Sequence, residues 1–142
     1  ALLLVPIFFC CWSLTRYGSL EVGLAAVRGA PVALSASRIG LGNLSPGEEG
    51  GASIAVWNLS GREVGLQGGR VTCSCIHIKG VPSVIPPGTF RTVEVSAKPG
   101  AKLAGPNRHR IDIFTNEPRA PELSATITFA VARQPRDVRR TN

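Results

Sequence analysis

Residues 90–97, F-R-T-V-E-V-S-A, and 108–115, R-H-R-I-D-I-F-T, decide the fold. In each, apolar side chains recur at every second position, the period of a strand with one buried face. Between them lies K-P-G-A-K-L-A-G-P-N, a stretch of turn residues. Toward the C-terminus, residues 123–132 (L-S-A-T-I-T-F-A-V-A) repeat the pattern after the turn N-E-P-R-A-P-E. Toward the N-terminus, residues 52–58 (A-S-I-A-V-W-N) put Ile54 and Val56 on one face. Shorter β-prone runs occur at 38–41, at 64–66 and from Val71 through Cys73 and Cys75 to His77, divided by N-L-S-P-G-E-E-G-G, N-L-S-G-R-E and S-V-I-P-P-G-T. About seven strands over residues 38–133 fit an all-β, immunoglobulin-like antiparallel β-sandwich. No part of this region keeps a helical period over about 11 residues, which excludes dinucleotide-binding and P-loop α/β folds.

The chain of 142 residues holds Gly 16 and Pro 11, 6% aromatics and a mean hydropathy of +0.15. That is the composition of one turn-rich domain with tails, and it excludes a disordered polar chain, a long-helix protein and a multidomain enzyme. Residues 1–14, A-L-L-L-V-P-I-F-F-C-C-W-S-L, are uncharged and nearly all apolar. A helix that spans the hydrocarbon needs roughly 20 such residues. With no Met in the chain, the stretch is expected to be the end of a longer transmembrane or signal-anchor segment, with Trp12 and Tyr17 as interfacial aromatics. The expected location is the bacterial cytoplasmic membrane, single-pass, with the C-terminal domain in the periplasm. Lipidation at Cys10 or Cys11 is disfavoured by bulky Phe8 and Phe9, and burial of the stretch in a soluble core is the competing reading. Residues 15–37 then form a linker or approach strand, and residues 134–142 a basic tail.

The sharpest chemical cluster is Cys73, Cys75 and His77. In a straight strand these three side chains share a face with about 7 Å between steps. Three readings stand beside each other. The cysteines are small buried hydrophobes; or they form a disulfide, which a fully extended strand would strain and make reducible; or, with His77, they bind copper or zinc, for which a bulge is needed and His109 on another strand is a further donor.

Hydrolytic catalysis finds little support. The aspartates are Asp112 and Asp137, the histidines His77 and His109, and neither a G-x-S-x-G elbow nor an H-E-x-x-H pair occurs. Asp112 reads as a solvent-face strand residue, and Glu48 with Glu49 as a solvated turn. The net charge of +7 comes from 16 Lys and Arg, 13 of them Arg, spread along the whole domain with few aromatics to stack bases. Nucleic acid is therefore not the expected partner. The one cluster is the tail, where Arg136, Arg139 and Arg140 beside Arg133 are expected to contact an acidic protein or anionic lipid headgroups.

The succession W-N-L-S-G at 57–61, V-T-C-S-C at 71–75, V-I-P-P-G-T at 84–89, I-F-T-N-E-P at 113–118 and L-S-A-T-I-T at 123–128 resembles the bacterial domain of unknown function 1573. Asn58, Cys73, Cys75, Pro87, Gly88 and Asn116 fall on its motif positions, while Ser74 replaces its usual glycine and Ile76 its usual threonine. The resemblance covers roughly residues 38–131. It implies an exported, often membrane-tethered immunoglobulin-like domain with no assigned activity. The resulting expectation is a non-catalytic, membrane-anchored accessory subunit without cofactor, partnered by other subunits of a membrane complex. The alternative is a periplasmic metal-binding or thiol-redox protein that uses Cys73, Cys75 and His77 with copper or zinc.

Overall fold

The computed structural model describes residues 4–133. The chain opens with two short helices, α1 Leu4–Tyr17 and α2 Leu20–Val27. Nine strands follow: β1 Val32–Leu34, β2 Arg38–Leu44, β3 Gly50–Asn58, β4 Val64–Val71, β5 Ile76–Lys79, β6 Ser83–Ile85, β7 Phe90–Ala97, β8 Gly105–Thr115 and β9 Glu122–Val131. They form a four-stranded sheet in the order β1-β3-β7-β5 and a five-stranded sheet in the order β2-β9-β8-β4-β6. The expected all-β sandwich is present, and its central strands alternate as the sequence requires. Ile54 and Val56 of β3 face Val93 and Val95 of β7, and these pack across the gap on Val64, Leu66, Ile111, Ile113 and Ile127. Each of these nine side chains is at most 3% exposed, a burial that contributes on the order of 1.5–3 kcal/mol per large aliphatic.

Two features depart from a purely antiparallel sandwich. Strand β2 runs parallel to β9, with a register shift between Gly40 and Asn43. The cause is the short segment 35–37, too short to reverse the chain, so that after β1 closes the four-stranded sheet its continuation crosses and lies beside β9 in the same sense. The second departure is at residues 72–75. The alternation from Val71 to His77 reads as one strand, but β4 ends at Val71 and β5 begins at Ile76 in the opposite sheet. The chain turns there, with the Ile76 amide donating to the Cys73 carbonyl at 3.1 Å.

Residues 15–37, expected as a linker or approach strand, carry the end of α1, all of α2 and β1. The helices pack against each other where Gly23 meets Ser13; a Cβ on Gly23 would collide with the Ser13 side chain. Ser13, fully buried, donates to the Ser19 carbonyl at 2.9 Å. The pair is then laid on the outer face of the four-stranded sheet through Val22, Ala33 and Trp57. Trp12 and Tyr17, expected as interfacial aromatics, belong to a chain of ring contacts that runs onto the sheet. Tyr17 meets Trp57 edge-on at 5.2 Å, Trp57 meets Phe90 at 4.8 Å, and Trp12 meets Tyr17 at 5.7 Å.

The single-pass membrane location is overturned by the same region. Helix α1 has 14 residues, about 21 Å of rise against roughly 30 Å of hydrocarbon. No helix among the described residues is long and apolar enough to cross a membrane.

Candidate functional site

Four of the motif residues act on the architecture. The buried Asn58 side chain donates to the carbonyls of Arg62 and Ile85 at 2.7 and 2.8 Å and accepts from the Ser60 amide and hydroxyl. It thereby closes the turn after β3 and ties it to β6. The Gly88 amide donates to the Asn58 carbonyl, with Gly88 at φ +68° directly after Pro87. Asn116 accepts from the Gly65 amide at 2.8 Å, which pins the end of β8 to β4. A polar side chain whose hydrogen bonds go to the neighbouring backbone and turn residues is a structural fixture.

Cys73 and Cys75 are half-buried in the turn at 72–75 and joined by a disulfide. Because that segment turns, their α-carbons stand 5.2 Å apart, inside the ordinary range for a bridge. His77 is on β5, exposed and opposite Ser96, and it is not brought to the cysteines. His109 is. It lies on the inward face of β8 in the same alternation as Ile111 and Ile113, so the signal for its position was the strand period of residues 108–115. One ligand atom from each of Cys73, Cys75 and His109 falls within 4.8 Å of the others. The free thiols, Cys10 and Cys11, are exposed on α1.

A second cluster occupies the outer face of the five-stranded sheet. Asp112 points outward from β8, as its alternation requires, yet it is only 2% exposed. Arg70 donates to it from β4 at 2.8 Å, Arg110 from two residues away at 2.6 Å and Ser124 from β9 at 2.8 Å. Arg70 and Arg110 also reach Glu122, at 3.6 and 2.8 Å. Burial pushes the Asp112 carboxyl up, but the hydrogen bonds from Arg70, Arg110 and Ser124 outweigh it and hold the group well below the usual carboxylate range. Glu117, beyond the end of β8, follows the same logic: burial raises it, and the Arg119 amide and the Arg62 guanidinium lower it further than burial lifts it. Both carboxylates are held ionised by arginines, the opposite of what a general acid needs. Glu48 accepts from the Ser45 amide at 2.7 Å and closes its own turn.

Beside this network the face is open. Arg38 on β2 and Arg108 on β8 are exposed, flank Thr126 and Thr128 of β9, and make no ion pair among the described residues. Between the bulge of β2 and the start of β8 lies a cleft of about 540 Å³, lined by Gly40, Gly42, Asn107, Arg108 and Thr128 among others. The tail arginines Arg136, Arg139 and Arg140 lie outside the described residues.

No family model matches the chain, and no curated protein matches it. Solved structures do. A protein of unknown function from Porphyromonas gingivalis W83 superposes with a TM-score of 0.62 at 20% identity, over 70% of this chain and 46% of that one. The chain thus spans under half of that protein's length. The ASH/PapD-like domain 7 of human CEP192 matches with a TM-score of 0.58 at 13% identity, over 74% of this chain and 87% of that domain. The VesB protease of Vibrio cholerae matches with a TM-score of 0.56 at 11% identity, over 75% of this chain and 33% of the protease. At such identities the likeness shows the fold alone, an immunoglobulin-like β-sandwich.

Proposed function

We propose that this domain is a non-catalytic protein-binding module that receives an extended acidic segment of a partner on the outer face of its five-stranded sheet. The observation that carries the reading is the pairing of Arg38 and Arg108, two exposed guanidiniums without an acidic partner among the described residues, on either side of the Thr126–Thr128 hydroxyl row and next to the cleft over β2, β8 and β9. A guanidinium presents a planar fork of donors to a carboxylate. The threonine hydroxyls add neutral donors and acceptors along the same track. The glycines Gly40 and Gly42 thin the rim, so that a partner backbone can come close. The arginines of the neighbouring network, Arg70 and Arg110, are already neutralised by Asp112 and Glu122, which focuses the unspent positive charge on the β2 side.

The test is fluorescence anisotropy with a labelled Glu-rich peptide, at several salt concentrations. The double variant Arg38→Glu/Arg108→Glu should weaken binding at least tenfold, and the control Lys98→Glu/Lys102→Glu, with the same change in net charge, should weaken it less than threefold. Equal losses in both would mean that only the overall +7 charge attracts the peptide and would refute the face.

A further inference from the structure

We infer that Cys73, Cys75 and His109, once the disulfide is reduced, form a copper(I) site where the turn between the two sheets meets β8. The site comes from two elements fixed in register with each other. Thr72 is clamped to Arg110, the neighbour of His109, by two hydrogen bonds: the Thr72 amide donates to the Arg110 carbonyl at 3.2 Å, and the Arg110 amide donates to the Thr72 hydroxyl at 3.0 Å. Both sulfurs therefore hang directly over the inward side chain of residue 109.

His109 itself carries the second observation. Its Nε2 is buried and has no hydrogen-bond partner among the described residues. A buried polar nitrogen left unpaired is costly and calls for a specific occupant. The ring is held flat against Phe129, with centroids 5.6 Å apart and planes 25° apart, so the nitrogen cannot easily swing to solvent. His77, the histidine suggested by spacing alone, faces away on β5.

The donor set selects the metal. Two thiolates and one imidazole are soft ligands of the kind that take copper(I) or zinc. Around one ion with bonds of about 2.0–2.3 Å, donor atoms stand roughly 4 Å apart; within the 4.8 Å envelope of this cluster the imidazole has to approach by about 1 Å or less, while the two sulfurs, bonded to each other in the disulfide, separate to that spacing once the bond is broken. No fourth His, Cys, Asp or Glu joins the three among the described residues. Structural zinc takes four protein ligands, whereas copper(I), softer and of lower charge, is satisfied by three soft donors.

Occupancy is gated by the thiols. In the disulfide neither sulfur is a thiolate, and the site cannot form. A dithiol reductant attacks one sulfur, breaks the Cys73–Cys75 bond and leaves as its own cyclic disulfide; its two electrons and two protons pass to the cysteines. Copper(I) then binds the two sulfurs and Nε2, and the two thiol protons leave to solvent, with no change in the metal's oxidation state. In the turn, the Cys75 amide already donates to the Cys73 sulfur at 3.2 Å, a contact that favours the thiolate.

The experiment uses the full chain carrying Cys10→Ser and Cys11→Ser, which removes the exposed thiols of α1. Protein reduced with dithiothreitol and desalted anaerobically is titrated with copper(I) against a chromophoric chelator, alongside an unreduced sample. One copper per reduced chain and none per oxidised chain are expected. His109→Ala should lower the affinity at least tenfold, and His77→Ala should leave it within twofold. X-ray absorption of the unsubstituted-histidine protein gives a readout that does not depend on a variant folding: two sulfurs and one nitrogen around copper are expected. Copper held equally well by oxidised protein, an unchanged affinity in His109→Ala, or a copper shell without nitrogen would each overturn the site.

Discussion

The two sheets of this sandwich share one core and treat their outer faces in opposite ways. The four-stranded sheet is covered at its β1–β3 end by the helix pair, through apolar and aromatic contacts made by Tyr17, Val22, Ala33 and Trp57. The five-stranded sheet keeps its outer face polar and stabilises it with charge, Asp112 standing beneath Arg70 and Arg110. Apolar cover is insensitive to salt and acid and binds the N-terminal segment into the domain. A charged face stays wet and leaves Arg38 and Arg108 available to another molecule. The lesson is that covering a sheet consumes it, whereas a carboxylate pinned between arginines stabilises a sheet while leaving it usable.

The most severe way to break the contrast is to strip the covered face. Trp57 is 7% exposed and lies between Tyr17 and Phe90. Trp57→Ala should cost about 3–5 kcal/mol, measured by urea unfolding. Hydrogen exchange should show α1 and α2 losing protection while β8 and β9 keep theirs. Uniform loss across both sheets would show that the helix pair is an integral part of the core.

A milder break targets the contact between the helices. In Gly23→Ala the new methyl group would enter the space of the Ser13 side chain, and the expected cost is about 2 kcal/mol from overpacking. The loss should again appear as faster exchange in the helices. An unchanged melting temperature would mean that α1 can slide away from α2 without penalty.

How much of this was legible from the residues differs between the two faces. The inward alternation of Ile111 and Ile113, or of Ile54 and Val56, is carried by period-2 patterning that needs no partner to be read, and it held. The switch of sheets at residues 72–75 was hidden because Val71, Cys73, Cys75 and His77 keep the same period through a turn; only the tertiary need to cross between sheets breaks the strand there. The helix pair was hidden for another reason. L-E-V-G-L-A-A-V is short, and α1 is apolar all round, so neither shows a polar face that would announce a surface helix. Asp112 was placed on the correct face, but its burial arises from Arg70, a residue 42 positions earlier. His109 followed from alternation, and its meeting with Cys73 and Cys75 did not, since it depends on the same unseen turn.

On the charged face, Asp112→Asn keeps the shape and removes the charge that the two arginines share. The expected cost is about 1–2 kcal/mol, modest because Arg70 and Arg110 are 59% and 56% exposed and regain water. Exchange should quicken in β4, β8 and β9 and leave α2 as it was. A larger effect in the helices than in these strands would erase the division between the two faces.

The smallest effect is the one that separates the faces most cleanly, because it is a dependence on pH. Asp112 and Glu117 are both held below the usual carboxylate range in the folded chain, while in the unfolded chain they titrate near 4. Above that value both states are ionised, and the arginine contacts contribute in full. As pH falls through about 4, the unfolded chain takes up protons that the folded carboxylates still refuse, so stability declines toward acid. Urea midpoints taken from neutral pH down to about pH 3 should therefore fall. The gap between the unsubstituted protein and Asp112→Asn should narrow over the same interval, since the variant has already lost that share. Trp57→Ala removes contacts that carry no charge, so its penalty should stay constant while the other shrinks. A gap for Asp112→Asn that widened in acid would reverse the sign of the linkage and place the stabilising role of that face elsewhere than in its ionised carboxylate.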